Sequence, residues 1–162
     1  MRAELLSAAR RFALPSELAE ECYAALRQRG EEGAELFIAL TARVGEGGEE
    51  ICFQRAIVPD QICHRTPQGL LVTIEGEALF ALNRACFEHE ELLAGQIHSH
   101  PNHAYHSGAD DELALVQLPG GLSIVVPDFA RGPLRPRRWS VYQLRANGSW
   151  RPKPRRVKLK LK

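Results

Sequence analysis

The sequence predicts one domain of the α/β (α+β) class. The chain has 162 residues, of which 44% are hydrophobic and 25% charged. A chain of that length and composition can bury one adequate core. Stripes of apolar residues at helical spacing share the chain with short apolar runs that are partly β-branched. We therefore predict a single domain over residues 1–150, followed by a separate segment at 151–162.

Two short helices are predicted before the first strand. In the first helix, Leu5 and Ala8 lie on one face, and the chain is then interrupted at Pro15. Ser16 is predicted to cap the second helix. Its apolar face is marked by three residues at intervals of four, namely Leu18, Cys22 and Leu26. Gly30 is predicted to end this helix.

Apolar runs predict six strands, and one long apolar stripe predicts a third helix. The strands are expected at 35–44, 51–59, 70–75, 94–99, 122–127 and 137–145, with a glycine-rich hairpin loop after the first. The helix is expected between Glu77 and Glu91, where Leu79, Leu82 and Cys86 share a face. Residues 60–69 are predicted to be a loop, and a further helix start is predicted at 110–116.

Composition excludes several classes of protein. The four cysteines are scattered with no C-x-x-C pair, so we expect reduced thiols and no disulfide framework. No apolar stretch approaches the roughly 20 residues of a membrane span, and the N-terminus lacks the apolar segment of a secretion signal. The expected compartment is the cytoplasm.

The segment at 151–162 is strongly basic. It carries seven of the Lys and Arg residues and no acid, so residues 1–150 hold about six negative charges in excess if the whole chain is at +1. Val157, Leu159 and Leu161 alternate with lysines, which suits either a flexible tail or a basic edge strand. A nucleic-acid module that uses this strip is disfavoured, because no stacking aromatic cluster or recognition motif accompanies it.

Four of the six histidines lie between residues 95 and 111. His98 and His100 are two positions apart at the end of a predicted strand, so both imidazoles project from one face and can reach one ion. Catalytic zinc takes three protein ligands. Asp110, at a predicted helix start, is the preferred third ligand, with Asp111 as the alternative.

The residues between the histidines and the aspartate support a metal site. Pro101 forces a turn after His100, and the Ser107 hydroxyl can cap the next helix while pointing toward the metal. His103 and His106 are predicted to be exposed loop residues. An H-x-H pair by itself also occurs by chance, so the surrounding residues carry the inference.

The pattern His98-Ser99-His100-Pro101, followed by a serine three residues before Asp110, resembles the signature of the JAMM zinc metalloproteases of the JAB1/MPN/Mov34 superfamily. The resemblance extends over about residues 20–145, in the style of bacterial JAB-type members. It implies a cytidine deaminase-like mixed β-sheet flanked by helices. It also implies that His98, His100 and Asp110 bind Zn²⁺.

The loop departs from the usual family spacing. Family members usually have seven residues between the second histidine and the serine, whereas this chain has six. A deletion of one loop residue keeps Ser107 and Asp110 in register with each other. The alternative register would place Gly108 and Asp111 at those two positions.

The resemblance implies the remaining catalytic residues. A glutamate just before the first strand of the sheet would act as general base, and Glu32 fits that position, with Glu31 and Glu35 as alternatives. Zinc would lower the pKa of its water to about 7. Ser107 would stabilise the oxyanion of the tetrahedral intermediate.

The resemblance also implies a substrate class. JAMM enzymes typically cut after the C-terminal glycine of a ubiquitin-like protein, which they deconjugate or mature. Bacterial members occur beside E1-like and E2-like enzymes, some in antiphage systems, so these are the expected partners. Two alternatives are a non-catalytic scaffold and a peptidase acting on another substrate, such as a sulfur-carrier protein fusion.

Overall fold

The structure, a computed structural model, describes residues 2–44, 48–105, 107–108, 110 and 114–162. Three α-helices are described: α1 (Arg2–Ala8), α2 (Ser16–Glu31) and α3 (Gly76–Glu88). Ten strands accompany them: β1 (Arg11–Leu14), β2 (Phe37–Val44), β3 (Glu50–Ile57), β4 (Ile62–Thr66), β5 (Gly69–Thr73), β6 (Leu92–Ser99), β7 (Leu122–Val126), β8 (Ser140–Leu144), β9 (Trp150–Pro152) and β10 (Lys158–Leu161).

Eight of these strands form one mixed sheet in the order β10-β1-β3-β2-β6-β7-β8-β9. Strand β6 is antiparallel to β2 and parallel to β7, so it lies in the interior of the sheet. Strands β4 and β5 form a separate antiparallel hairpin. The α/β (α+β) class with a mixed sheet flanked by helices is thereby confirmed.

The two faces of the sheet carry different packing. The larger core, which includes Leu6, Leu26 and Ile38, joins α1 and α2 to one face. A smaller core, which includes Phe37 and Leu82, joins α3 and the β4–β5 hairpin to the other. Because neighbouring strand residues point to opposite faces, Phe37 and Ile38 belong to different cores.

The helix prediction for α2 is confirmed, but two details of its ends are wrong. Pro15 is the N-cap residue and no side-chain capping bond forms, so Ser16 is the first residue of the helix. Gly30 lies inside the helix, which ends at Glu31. A Cβ atom at Gly30 would lie 2.3 Å from the Cβ of Phe129. The glycine is therefore explained by close packing, with no need for a chain stop.

Three other predictions differ from the structure because they depend on distant partners. Residues 11–14 form β1, which lies between β10 and β3. The predicted loop at 60–69 contains β4, which pairs with β5. Residues 114–116 are not helical, and residues 111–113 lie outside the described part of the chain.

The C-terminal basic segment is ordered into the sheet. Strand β10 runs parallel to β1 at the sheet edge, and Val157 is buried at 1% exposure. All four cysteines are free, and Cys22 and Cys86 are buried, as predicted. No helix in the described ranges is both long enough and apolar enough to cross a membrane.

Candidate metal centre

The two histidines of the motif lie at the carboxyl end of β6. His98 is fully buried and His100 is 3% exposed. Their ring centroids are 5.2 Å apart, as expected for side chains that leave one face of a strand at positions i and i+2. Because β6 is an interior strand, Phe37 of β2 and Val125 of β7 flank His98 on its two sides.

Asp110 meets both histidines, although it lies ten residues beyond His100. Its Oδ2 atom is 3.3 Å from His98 Nε2 and 3.2 Å from His100 Nε2. The carboxylate is buried, with 3% exposure. The structure thus brings together the three residues that the sequence predicts as ligands. The alternative, Asp111, lies outside the described residues.

These three residues suit a zinc ion. One ligand atom from each can be chosen so that all lie within 4.8 Å of one another. Bonds of about 2.0–2.2 Å at tetrahedral angles place two ligand atoms about 3.3–3.6 Å apart. The two histidine-to-aspartate distances already match this spacing. Two imidazoles and one carboxylate are also a usual catalytic zinc set, which leaves a fourth position open.

The electrostatics of the cluster favour an ionised aspartate. Burial opposes ionisation of Asp110, but hydrogen bonds from His100 and His98, the charge of His98 and the backbone N–H of Ser107 outweigh it. Together they hold the pKa of Asp110 well below its usual range. The carboxylate is therefore anionic at neutral pH, as a metal ligand must be.

Ser107 and Asp110 hold each other through two hydrogen bonds. The Ser107 N–H donates to Asp110 Oδ2 at 2.7 Å, and the Asp110 N–H donates to Ser107 Oγ at 3.2 Å. This is the reciprocal pattern of a helix capping box. Gly108 and Asp110 are helical, in agreement with a helix start. The three-position spacing between Ser107 and Asp110 thus orients the carboxylate toward the histidines.

Aromatic rings enclose the two imidazoles. Phe37 stacks flat on His98, with ring centroids 4.2 Å apart and an interplanar angle of 5°. Tyr105 meets His100 edge-on at 4.7 Å between centroids. These contacts restrict rotation of both imidazoles. No role is predicted from the sequence for either aromatic residue, although the position of Tyr105 inside the histidine loop is a usable signal.

A left-handed turn supports the backbone after His100. Asp128, Phe129 and Ala130 have φ values of 54°, 52° and 56°, which is an uncommon conformation for residues other than glycine. The Phe129 N–H donates to the carbonyl of His100 at 2.8 Å. The Asp128 N–H donates to the carbonyl of Asn102 at 2.9 Å. Strained backbone thus lies directly against the segment that follows His100, a candidate metal ligand.

Of the three candidate bases, Glu35 shares a cavity with His100 of the cluster. Glu35 is 8% exposed and lines a cavity of about 460 Å³ with His100, Tyr105 and Ser107. Burial raises the pKa of Glu35 to about 7, which the charge of His100 lowers and that of Asp110 raises. Its carboxyl therefore exchanges a proton near neutral pH.

Glu32, the preferred base in the sequence analysis, lies elsewhere. It is the C-cap residue of α2, and its half-exposed carboxylate pairs with Arg29. It lines a different cavity, which includes Asp60 and Gln61. Glu31 is the exposed last residue of α2. The catalytic role of Glu32 stays a prediction, and the structure does not bring that residue to the cluster.

The remaining two histidines of this loop are His103 and His106. His103 is exposed, as predicted. His106 lies outside the described residues, so its predicted exposure stays a prediction.

The mixed sheet and the buried cluster of two histidines and one aspartate define a domain built around a candidate metal centre. Residues 2–142 match the family described as prokaryotic homologs of the JAB domain, and the chain belongs to this family. The resemblance seen in the HSHP and Ser-x-x-Asp motifs is thereby confirmed.

Relatives of known name or structure agree with this membership. A Sinorhizobium fredii (strain NBRC 101917 / NGR234) protein named "Probable metalloprotease y4jG" is 34% identical over 151 residues, which is 91% of this chain and 90% of that protein. A Desulfitobacterium hafniense protein has a similar fold, with a TM-score of 0.63, 18% identity and coverage of 93% of this chain and 94% of its own. A Salinibacter ruber protein has a TM-score of 0.57 at 17% identity, with 88% of each chain covered.

Proposed function

We propose that this protein is a zinc-dependent peptidase that hydrolyses the bond after the C-terminal glycine of a ubiquitin-like protein. The observation that carries the proposal is one buried cluster of His98, His100 and Asp110 beside a cavity lined by Glu35. Catalytic zinc sites combine three protein ligands with a nearby acid or base. The metalloprotease name of the Sinorhizobium relative supports the same reaction class.

In this proposal His98, His100 and Asp110 hold the zinc ion. When bound, zinc polarises the scissile carbonyl and makes water a stronger nucleophile. Glu35, whose pKa is raised by burial to about 7, accepts the proton of the attacking water and donates it to the leaving amine. We assign this role to Glu35 in place of Glu32, because the Glu35 side chain lines the cavity that His100 enters.

Ser107 keeps its proposed role beside the oxyanion. Its Oγ atom accepts a hydrogen bond from the Asp110 N–H, which leaves its O–H as a donor. The side chain also lines the shared cavity. A hydrogen-bond donor placed at a developing oxyanion stabilises the transition state by about 3 kcal/mol.

The walls of the cavity support an extended peptide as substrate. Gly69, Leu70 and Leu71 of β5 line it together with Pro101 and Tyr105. Within the described residues, β5 pairs with β4 alone, so its other edge can accept a further strand. Extended peptides bind to such edges through main-chain hydrogen bonds. A flexible tail ending in glycine can follow β5 into the cavity beside Tyr105.

The metal is tested by elemental analysis of protein purified without added metal. We expect about one zinc per chain in the parent and in Glu35→Gln, and almost none in His98→Ala or Asp110→Ala. These two variants remove ligands, whereas the glutamine leaves the three-residue cluster intact. A parent that binds no zinc even after reconstitution would favour the scaffold alternative over the enzyme.

The reaction is tested on fusions of ubiquitin-like proteins from the same genome, each joined through its C-terminal glycine to a reporter protein. We expect the zinc-loaded parent to release the reporter and Glu35→Gln to lose at least about 100-fold in rate. Glu32→Gln is the matched control and should remain active. Loss of activity in Glu32→Gln alone would restore the original assignment of the base.

The alternative substrate and the partners are also proposals. A fusion to a sulfur-carrier protein belongs in the substrate panel, and its selective cleavage would assign that substrate class instead. E1-like and E2-like enzymes remain the proposed partners. If the zinc-loaded parent leaves every fusion intact, the proposed substrate class is wrong.

A further inference from the structure

We propose that Gln61 is a positioning residue that holds the start of β2, and with it the Phe37 ring against His98 and the Glu35 side chain in the cavity. This inference rests on the proposed function, since it concerns how the same site is held. Gln61 itself lies outside the cavity that Glu35 and His100 line.

The start of β2 lacks a strand partner on its β3 side. In the β2–β3 pairing, Ala39 lies opposite Ile57, the last residue of β3. The same register continued by two places brings Pro59 opposite Phe37. Proline has no N–H, so Pro59 cannot donate to the Phe37 carbonyl. The Phe37 carbonyl on this side therefore needs another donor.

The side-chain amide of Gln61 supplies that partner. Its Oε1 accepts from the Phe37 N–H at 2.8 Å, and its Nε2 donates to the Phe37 carbonyl at 2.8 Å. The same Nε2 donates to the Pro59 carbonyl at 2.9 Å. One primary amide thus presents both a donor and an acceptor to Phe37, as a neighbouring strand residue would. Its bond to Pro59 also connects Phe37 to the chain just after β3.

Phe37 transmits this restraint to the metal cluster. On its other side Phe37 pairs with His98 in the β2–β6 register, and its ring lies flat on the His98 imidazole. Glu35 is two residues earlier on the same extended segment, and the same register continued places it opposite His100. A shift at Phe37 would therefore move both a metal ligand's neighbour and the proposed base.

Two further residues of the hairpin hold the same segment. Arg65 Nη2 donates to the Gly33 carbonyl at 3.3 Å, and the Cys63 side chain lies beside the backbone of Glu35. Residues 61, 63 and 65 thus meet residues 37, 35 and 33 in antiparallel order. The Gln61 contacts, at 2.8 Å, are shorter than the Arg65 contact, and Gln61 immediately precedes β4, so it also anchors the wall of the cavity.

The test compares Gln61→Met with Gln54→Met. Methionine keeps the length of glutamine and removes its amide, and Gln54 is an exposed glutamine of β3 that bonds a carbonyl of its own strand. On a cleavable fusion we expect kcat of Gln61→Met to fall about 10-fold to 100-fold, with a smaller change in KM. Gln54→Met should match the parent.

A second readout avoids catalysis. The Co²⁺-substituted protein reports ligand geometry through its visible absorption spectrum. We expect Gln61→Met to shift this spectrum and to weaken Co²⁺ binding about tenfold in chelator competition. A merely structural role for Gln61 would lower Tm while the spectrum, the affinity and kcat of the folded protein stay at parental values. That result would overturn the proposal.

A third readout needs no variant and decides the case if Gln61→Met does not fold. In the parent, the Phe37 amide should exchange with solvent about as slowly as that of Ala39, two residues along β2. Exchange as fast as at an exposed loop amide would reject the Gln61 contact. If the zinc-loaded parent cleaves nothing, the proposed function fails, while the Co²⁺ spectrum and amide exchange still decide this inference.

Discussion

At the scale of single residues, burial controls the chemistry of the candidate site. Asp110 and Glu35 are both carboxylic acids in the same buried region, yet their pKa values move in opposite directions. Asp110 receives hydrogen bonds from two histidines and one backbone N–H, which offset its burial. For Glu35, burial is the largest influence, and it raises the pKa of the carboxyl to about 7. The two environments suit a ligand and a base, respectively.

The raised pKa of Glu35 predicts how the stability of the metal-free protein depends on pH. The ordinary pKa of this carboxyl is 4.5, and its pKa in the folded protein is about 7. Between these two pH values, the folded state holds a proton that the unfolded state has lost. The stabilisation from Glu35 is complete below pH about 4.5 and is lost as pH rises through 7. We expect a loss of up to about 3 kcal/mol in unfolding free energy.

Urea unfolding between pH 5 and pH 8 measures this effect. Glu35→Gln should remove the Glu35 component, so that the difference between variant and parent grows with pH. Glu32→Gln, which changes an exposed carboxylate, should leave the parental pH profile unaltered. Parallel profiles for the parent and Glu35→Gln would contradict the buried, proton-binding state of Glu35.

At the scale of secondary-structure elements, α2 and the left-handed 128–130 turn support the site from behind the sheet. Gly30 in α2 lies against Phe129, whose backbone N–H holds the His100 carbonyl. Arg27 of α2 also donates to the carbonyl of Ala130 at 3.1 Å. The packing between α2 and this strained turn is therefore linked by one hydrogen bond to His100, a candidate metal ligand.

Gly30→Ala is predicted to destabilise the protein. The added Cβ would lie 2.3 Å from the Phe129 Cβ, and neither the helix nor the turn can yield without losing packing. We expect a cost of about 1–3 kcal/mol, measured as a lower midpoint in urea unfolding.

Gly76→Ala is the matched control for this prediction. Gly76 is the first residue of α3, and no atom lies within 4 Å of an added Cβ there. Alanine should be neutral or stabilising by up to about 1 kcal/mol at that position. Equal destabilisation by both substitutions would point to a general intolerance of alanine and would refute the Phe129 contact as the cause.

At the scale of the whole molecule, the two ends of the chain join in one edge of the sheet. Strand β1 lies between β3 and β10, so the N-terminal strand is covered by the last residues of the chain. The Ser16 N–H donates to the Lys162 carbonyl at 2.7 Å, and the Lys162 N–H donates to the Leu14 carbonyl at 3.0 Å. The basic segment thus completes the sheet next to α2.

Deletion of residues 157–162 is predicted to destabilise the domain. The deletion uncovers one edge of β1 and removes Val157, which is 1% exposed. Loss of this side chain's burial alone costs about 1.5–3 kcal/mol. We expect a corresponding fall in the urea midpoint and faster exchange of the β1 amides with solvent.

Charge changes on the same strand provide the control. Lys158 and Lys160 are exposed, so Lys158→Gln combined with Lys160→Gln should change stability by less than about 0.5 kcal/mol. Full stability after the deletion would show that β10 contributes nothing to the fold. Weak binding of random DNA that disappears in the double variant would revive a role for the basic strip.

Much of the site follows from the sequence because its signals are local. His98 and His100 share a face through the two-residue period of a strand, and the Ser107 and Asp110 spacing favours a capping box. Both relations depend on residues close together in the chain. For the same reason, the helical stripes of α2 and α3 and the runs that form β2, β6 and β7 were sufficient to predict those elements.

Contacts between distant segments decided the rest. The choice between Glu32 and Glu35 depends on the pairing of β2 with β6, because that register brings the segment before Phe37 alongside His98 and His100. Strand β1 has four residues, and its place depends on β3 and β10. The sequence by itself determined the candidate metal-binding motif and the main helices and strands, since these follow from chain periodicity. Only the tertiary structure decided which acid shares the cavity, because side chains far apart in sequence are brought together by strand register and packing.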